Sequence, residues 1–173
     1  MSSFGARTFL KSVVVLFAVV GFVTSVRQLA AQVSAPLANP DIDHVGIIVR
    51  DIKATTKMFE DTFGIKIPEP TPFGPLIYLE KPPAGLEKSK ILMVHFKIGS
   101  LGIELIQPLS GPGPHMDHLQ KFGPGLQHVA LHAKDQPGVI KYLRGKGGAF
   151  TMRTYVDMKD TMGVTWEVQG PRQ

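Results

Sequence analysis

Asp43-His44-Val45-Gly46-Ile47-Ile48-Val49-Arg50-Asp51 returns 84 residues later as Gln127-His128-Val129-Ala130-Leu131-His132-Ala133-Lys134-Asp135. The offset persists beyond these stretches. Lys57-Met58-Phe59 falls on Lys141-Tyr142-Leu143, and Gly64 falls on Gly148. Each copy later carries one glutamate in an apolar segment, Gly102-Ile103-Glu104-Leu105 and Thr165-Trp166-Glu167-Val168. Two duplicated modules, each giving one His and one Glu, can converge on a shared four-ligand metal site. The pattern points to a metal-dependent enzyme built by duplication.

The residue types support this. Side chains of a strand alternate between faces, so His44, Gly46 and Ile48 share one face, as do His128, Ala130 and His132. Glu104 and Glu167 sit in apolar strands, where a carboxylate is costly unless paired or bound to metal. The chain has no cysteine. Disulfides, thiolate metal sites and a cysteine nucleophile are therefore excluded. Any metal must be held by imidazole and carboxylate, which are borderline-to-hard ligands.

Working outward, His44 to Val49 reads as a strand. Ile52, Thr56, Phe59 and Phe63 recur at helical spacing, with Asp51 as N-cap and Gly64 as C-cap. Ile65 to Ile67 resumes an extended pattern. Pro68 to Pro83 holds six prolines and admits only a short strand, Leu76 to Leu79. Strands are expected over Ile91 to Ile98 and Gly102 to Ile106. The Gly/Pro-rich stretch 109–124 reads as a linker between module one, 41–108, and module two, 125–170. The second module repeats the order: a strand from Gln127 to Ala133, a helix from Pro137 to Lys146 and a Gly147-Gly148 turn. Strands follow near Ala149 to Arg153, Tyr155 to Met158 and Val164 to Val168. The fold class expected is α+β, two tandem β-α-β-β-β modules forming an open barrel-like sheet around a shared metal cavity.

Residues 1–35 differ from the rest. Arg7 and Lys11 precede an apolar run from Ser12 to Val26, the order of a secretory signal peptide. The run is short for a membrane span, which needs about 20 residues. Val33-Ser34-Ala35 offers a cleavage site after Ala35, with Ala35 to Pro40 as linker. The expectation is an exported protein, periplasmic or secreted, or one held to the membrane only by an uncleaved N-terminal segment. The segment also accounts for most of the formal charge of +5, because without Arg7, Lys11 and Arg27 the balance is 16 basic to 14 acidic residues. No basic stripe with interleaved aromatics is present, so no nucleic-acid partner is expected.

These motifs resemble the vicinal oxygen chelate superfamily, also called the glyoxalase/bleomycin-resistance/dioxygenase fold. The resemblance rests on His44-Val45-Gly46-Ile47, on Gly102 to Pro108, on Gly125 to Leu131 and on Asp160-Thr161-Met162-Gly163-Val164-Thr165-Trp166-Glu167. It covers about residues 41–170. Thr161 stands where the family's Asp-Pro-x-Gly turn has proline. The resemblance implies one divalent metal ion (zinc, nickel, cobalt, manganese or iron) held by His44, Glu104, His128 and Glu167. It implies a lyase or isomerase of the glyoxalase type, nearest in pattern to the glyoxalase I and methylmalonyl-CoA epimerase branches. An enediolate would form beside a carbonyl of a small-molecule substrate, with Glu167 or Glu104 moving the proton. The alternatives are an iron(II) ring-cleaving dioxygenase using His44, His128 and Glu167, and a metal-free binding or resistance protein. A homodimer is compatible with either.

The other histidines are less informative by sequence. His95 alternates with Met93 and Lys97 and faces either cavity or solvent. His132 has Ile48 as its counterpart, which suggests packing. His115 and His118 flank Asp117 in the linker, where a solvated surface is expected rather than a surface metal site.

Overall fold

The computed structural model describes residues 37, 40–74, 84–152 and 154–172. The export segment, the cleavage position and the strand expected at Leu76 to Leu79 lie outside the described residues. A compact unit runs from Asn39 to Gln173. No helix among the described residues is long and apolar enough to cross a membrane.

In chain order the elements are β1 (Asp41–Ile48), α1 (Ile52–Phe63), β2 (Thr71–Phe73), a 3-10 turn (Leu86–Lys88), β3 (Lys90–Ile98) and β4 (Leu101–Ser110). Then follow α2 (Pro114–Phe122), β5 (Gly125–His132), α3 (Gln136–Gly145), β6 (Ala149–Phe150), β7 (Tyr155–Asp157), α4 (Lys159–Met162) and β8 (Thr165–Gln169). The strands make one mixed, open sheet in the order β2-β3-β4-β1-β5-β8-β7-β6. β1 and β5, the two copies of the opening motif, run antiparallel side by side at its centre. β4 lies parallel to β1, and β8 parallel to β5, so each glutamate strand flanks its own histidine strand.

Local chemistry explains the element ends. The Asp51 carboxylate accepts from the Ala54 amide at 3.0 Å and caps α1. The Asp135 carboxylate does the same for the Gly138 amide and α3, again at 3.0 Å, so the cap is repeated with the echo. Gly64 ends α1 in the left-handed conformation with φ 64°, where glycine carries no Cβ penalty. After α3 the left-handed residue is Gly147, φ 96°, one place before the aligned Gly148.

Both faces of β4 are buried, which accounts for its near-continuous apolar run. Val94, Ile103 and Leu105 pack with Ile52 of α1, and Phe59 and Phe96 close over them. On the other face, Ile48 and Ile106 pack with Leu86 and Ile91, and Leu119 of α2 covers them. This second face also carries His44 and is called the site face below. Pro108 lies within β4, beyond the point where β1 ends opposite Ile106, so its missing N–H breaks no ladder on that side.

Three expectations need correction. Residues 109–124 are not an irregular linker, because they contain α2. Gly113 and Pro114 start the helix and Gly123 follows it, and these punctuators obscured the nine residues between. His115 and His118 are accordingly buried, not solvated. The strand expected from Ala149 to Arg153 is assigned only at Ala149–Phe150.

Leu105 is fully buried between β4 and α1. Leu105→Ala is expected to cost about 2–5 kcal/mol of stability, read from urea denaturation midpoints at unchanged slope.

Candidate metal centre

Sheet register builds the centre as two neighbouring rows. In one row His95, Glu104, Gly46, His128, Thr165 and Asp157 stand opposite one another on successive strands. In the next row the order is Gly102, His44, Ala130, Glu167 and Tyr155. Gly46 separates Glu104 from His128, and Gly102 and Ala130 flank His44, so the large side chains lean into space these small residues leave open. At Gly46 this is compulsory: a Cβ built there would lie within the His128 ring.

The four expected ligands converge. His128 Nε2 lies 3.2 Å from Glu104 Oε2 and 3.4 Å from Glu167 Oε2. His44 Nε2 lies 3.6 Å and 3.3 Å from the same two atoms. The two imidazole Nε2 atoms are 3.2 Å apart. Donors bound at roughly 2.0–2.2 Å around one tetrahedral ion sit about 3.3–3.6 Å apart, so this spacing suits a single divalent cation. The chemistry of the set agrees. His44, His128 and Glu104 are buried, and Glu104 Oε2 has no partner in hydrogen-bond geometry. A buried carboxylate oxygen left in this condition is costly, and a cation would satisfy it.

The far sides of both rings are also held. His44 Nδ1 bonds Asp43 Oδ2 at 2.9 Å, and His128 Nδ1 bonds Gln127 Oε1 at 2.5 Å. An Nδ1–H that donates outward leaves the Nε2 lone pair directed at the centre, the usual support for a metal-bound imidazole. Each acceptor is the residue immediately before its histidine. Sequence reading missed both, although their matching place in the echo is a usable signal. Asp43 is itself clasped by His132 Nε2 at 3.2 Å and by Arg172 at 3.1 Å, and His132 Nδ1 bonds the Gly170 carbonyl at 2.7 Å. His132 is thus a polar brace rather than packing. His95 faces the site, its Nε2 2.9 Å from Glu104 Oε1. The Thr154 hydroxyl donates to Glu167 Oε1 at 3.3 Å.

Charge follows from this crowding. Burial alone would lower the pKa of His44, but the nearby carboxylates of Glu104, Glu167 and Asp43 outweigh burial and raise it to about 10. Burial would raise Glu104, yet the close imidazoles of His128, His44 and His95 hold it well below the usual carboxylate range. The bond from His44 is also the main reason that Asp43 falls to about 2. Without a cation, the two carboxylates therefore recruit a proton to an imidazole.

The model of the family described as "Glyoxalase/Bleomycin resistance protein/Dioxygenase superfamily" matches residues 43–166, most of the chain. The chain belongs to this superfamily. A relative in Bacillus subtilis (strain 168), the uncharacterized protein YqjC, is 33% identical over 90 residues. That match takes in 52% of this chain and 55% of YqjC, so the chain spans about half the length of its curated relative. Among solved structures, the methylmalonyl-CoA epimerase from Mycobacterium tuberculosis is similar, with a TM-score of 0.55 and 21% identity over 83% of this chain and 95% of that one. A methylmalonyl-CoA epimerase variant from Streptomyces coelicolor, in complex with 2-nitronate-propionyl-CoA, has a TM-score of 0.53 and 20% identity over 76% and 97%. The hypothetical protein BH1468 from Bacillus halodurans C-125 has 0.52 and 23% over 79% and 97%. At such identities the likeness is one of glyoxalase-superfamily fold.

Gly46→Ala is expected to displace the His128 ring, at a cost of about 1–3 kcal/mol, and to weaken divalent-metal binding measured by chelator competition. Metal loading is also expected to release protons. The metal-free site keeps a proton on His44 below pH about 10, and that proton must leave when the imidazole binds metal. Affinity should therefore rise as pH is raised towards 10. At neutral pH, calorimetry in buffers of different ionisation enthalpy should show roughly one proton leaving per ion.

Proposed function

We propose that this superfamily member is a divalent-metal-dependent lyase or isomerase of the glyoxalase type. Its two tandem β-α-β-β-β modules would share one cavity, and its substrate would be a small organic molecule with a C–H bond beside a carbonyl. The carrying observation is the His44, Glu104, His128 and Glu167 quartet, with Glu104 Oε2 buried and lacking a hydrogen bond.

A bound cation supplies Lewis acidity, stabilising negative charge on the substrate oxygen as the adjacent carbon loses its proton. The protein's own groups do the rest. Asp43 and Gln127 fix the two ring orientations. Glu167 and Glu104 are the groups that move the proton. Glu167 is the more exposed carboxylate, 15% against 7%, and so the better placed to take a proton from substrate. His95 and the buried histidines hold Glu104 ionised. Zinc, nickel, cobalt, manganese and iron(II) all accept such a ligand set. The basic-then-apolar N-terminal order further supports export, by cleavage after Ala35 or with that segment as an anchor.

Glu104→Ala is the discriminating variant. For the lyase or isomerase it should lower metal content and suppress exchange of the substrate's acidic hydrogen with deuterated water, followed by NMR. Retention of full oxygen-dependent turnover with iron(II) would instead assign a three-ligand dioxygenase. Wild-type protein that takes up no stoichiometric metal would overturn both, leaving a binding protein.

A further inference from the structure

Buried polar atoms without hydrogen-bond partners are rare in folded proteins, and each calls for an explanation. Among the described residues they gather around one place. Besides Glu104 Oε2 they are both ring nitrogens of His115, His118 Nδ1, Thr165 Oγ1 and Trp166 Nε1. Only Trp166 alternates to the other face of β8. His115 and His118 lie one turn apart on α2, the helix that covers the site face. The His115 ring meets Tyr155 edge-on at 5.9 Å, and Tyr155 packs on His128 at 4.8 Å.

His118 and Thr165 border the same cavity of about 630 Å³, together with Gln127, Phe122 and Met158. That volume suits a small organic ligand. The cavity adjoins the quartet: Thr165 is the cross-strand partner of His128, and Gln127 precedes it. Neighbouring strands are about 4.8 Å apart, so one molecule can reach both places.

We propose that α2 and the β7–β8 side of the site face form a substrate pocket for an uncharged hydroxyl- or amide-bearing chain, with His118, Thr165 and Gln127 as its hydrogen-bonding groups. The donor and acceptor inventory sets the ligand class. A neutral imidazole and a threonine hydroxyl each offer a donor and an acceptor. Gln127 Oε1 is taken by His128, which leaves its amide N–H groups to donate. Burial, aided by the charge of Lys159, keeps His118 below its ordinary pKa and hence neutral. Burial, with the charge of His128 adding, lowers His115 to about 4. Among the described residues no buried charge lines the cavity to select an ion. Lys121, Asp117 and Asp160 stand exposed at its rim, and Lys159 is paired with Asp157 at 3.1 Å. The pocket rests on the proposed function only in that its occupant is the molecule turned over at the quartet.

The test uses the full chain labelled with ¹⁵N-histidine, in metal-loaded and metal-stripped forms. The probes are 1,2-propanediol, N-methylacetamide and propionate. The diol or the amide should shift the His118 ring nitrogens saturably in both forms, and propionate should not. Thr165→Val should weaken that binding at least about tenfold, and Thr165→Ser, which keeps the hydroxyl, should restore it. Binding of propionate alone, equal binding by Thr165→Val, or no shift from any probe would overturn the pocket. Saturable diol or amide binding by a protein that takes up no metal would support the pocket while removing the proposed reaction.

Discussion

The His128 ring occupies the space that a side chain at position 46 would fill, and the arrangement of the site face depends on that exchange. β1 and β5 meet at the centre of the sheet, where two large facing residues would push the ladder apart. Glycine on one strand lets imidazole on the other lean across the seam towards Glu104. Ala130 does the same in the neighbouring row, between His44 and Glu167. Four ligand atoms drawn from four strands thereby come within a few ångströms of one another. The apolar packing of Ile48, Ile106 and Leu119 beside them keeps much of that space from water. Carboxylates in such a setting need positive charge nearby, and His44 supplies it by holding a proton. A divalent cation meets the same need and satisfies the one oxygen that the histidines leave without a hydrogen bond.

The sequence echo is imperfect in a way that bears on chemistry. His44 donates its outer N–H to a carboxylate, whereas His128 donates to a neutral amide. A carboxylate behind an imidazole makes it the more basic ligand, so the two halves of the site are not electronic equivalents. The Asp43 side is also braced more heavily, by His132 and Arg172, the latter reaching back from the C-terminal end of the chain. Gln127, by contrast, is buried behind His128 and borders the cavity that His118 and Thr165 also line.

Superfamily membership fixes the architecture, and solved structures of similar fold include epimerases. The fold alone does not choose a reaction, because function resides in the site rather than in the sheet. The local features that bear on the choice are the four-ligand set, the partly exposed Glu167 and the polar residues that border the neighbouring cavity. The proposal of proton movement rather than oxygen activation rests on these features, since three ligands suffice for the latter.

The sequence by itself determined the periodic elements of this protein. The repeated His-x-Gly/Ala pattern, the glutamates embedded in apolar strands, and the Asp51 and Gly64 helix ends were all legible, because strand alternation and helix capping are local rules. The 84-residue spacing put His44 and His128 in corresponding positions, and Glu104 and Glu167 matched as the one glutamate in a late apolar segment of each copy. Only the tertiary structure decided how α2 is used. Glycines and prolines at both ends of 109–124 masked a nine-residue helix, and the burial of His115 and His118 depends on α2 lying against the site face. The same is true of Asp43 and Gln127 behind the two rings, and of the cavity that Thr165 shares with His118. These depend on which strands become neighbours and on how far one side chain can lean over another. Such distances are set by packing between residues far apart in the chain, and no local pattern records them.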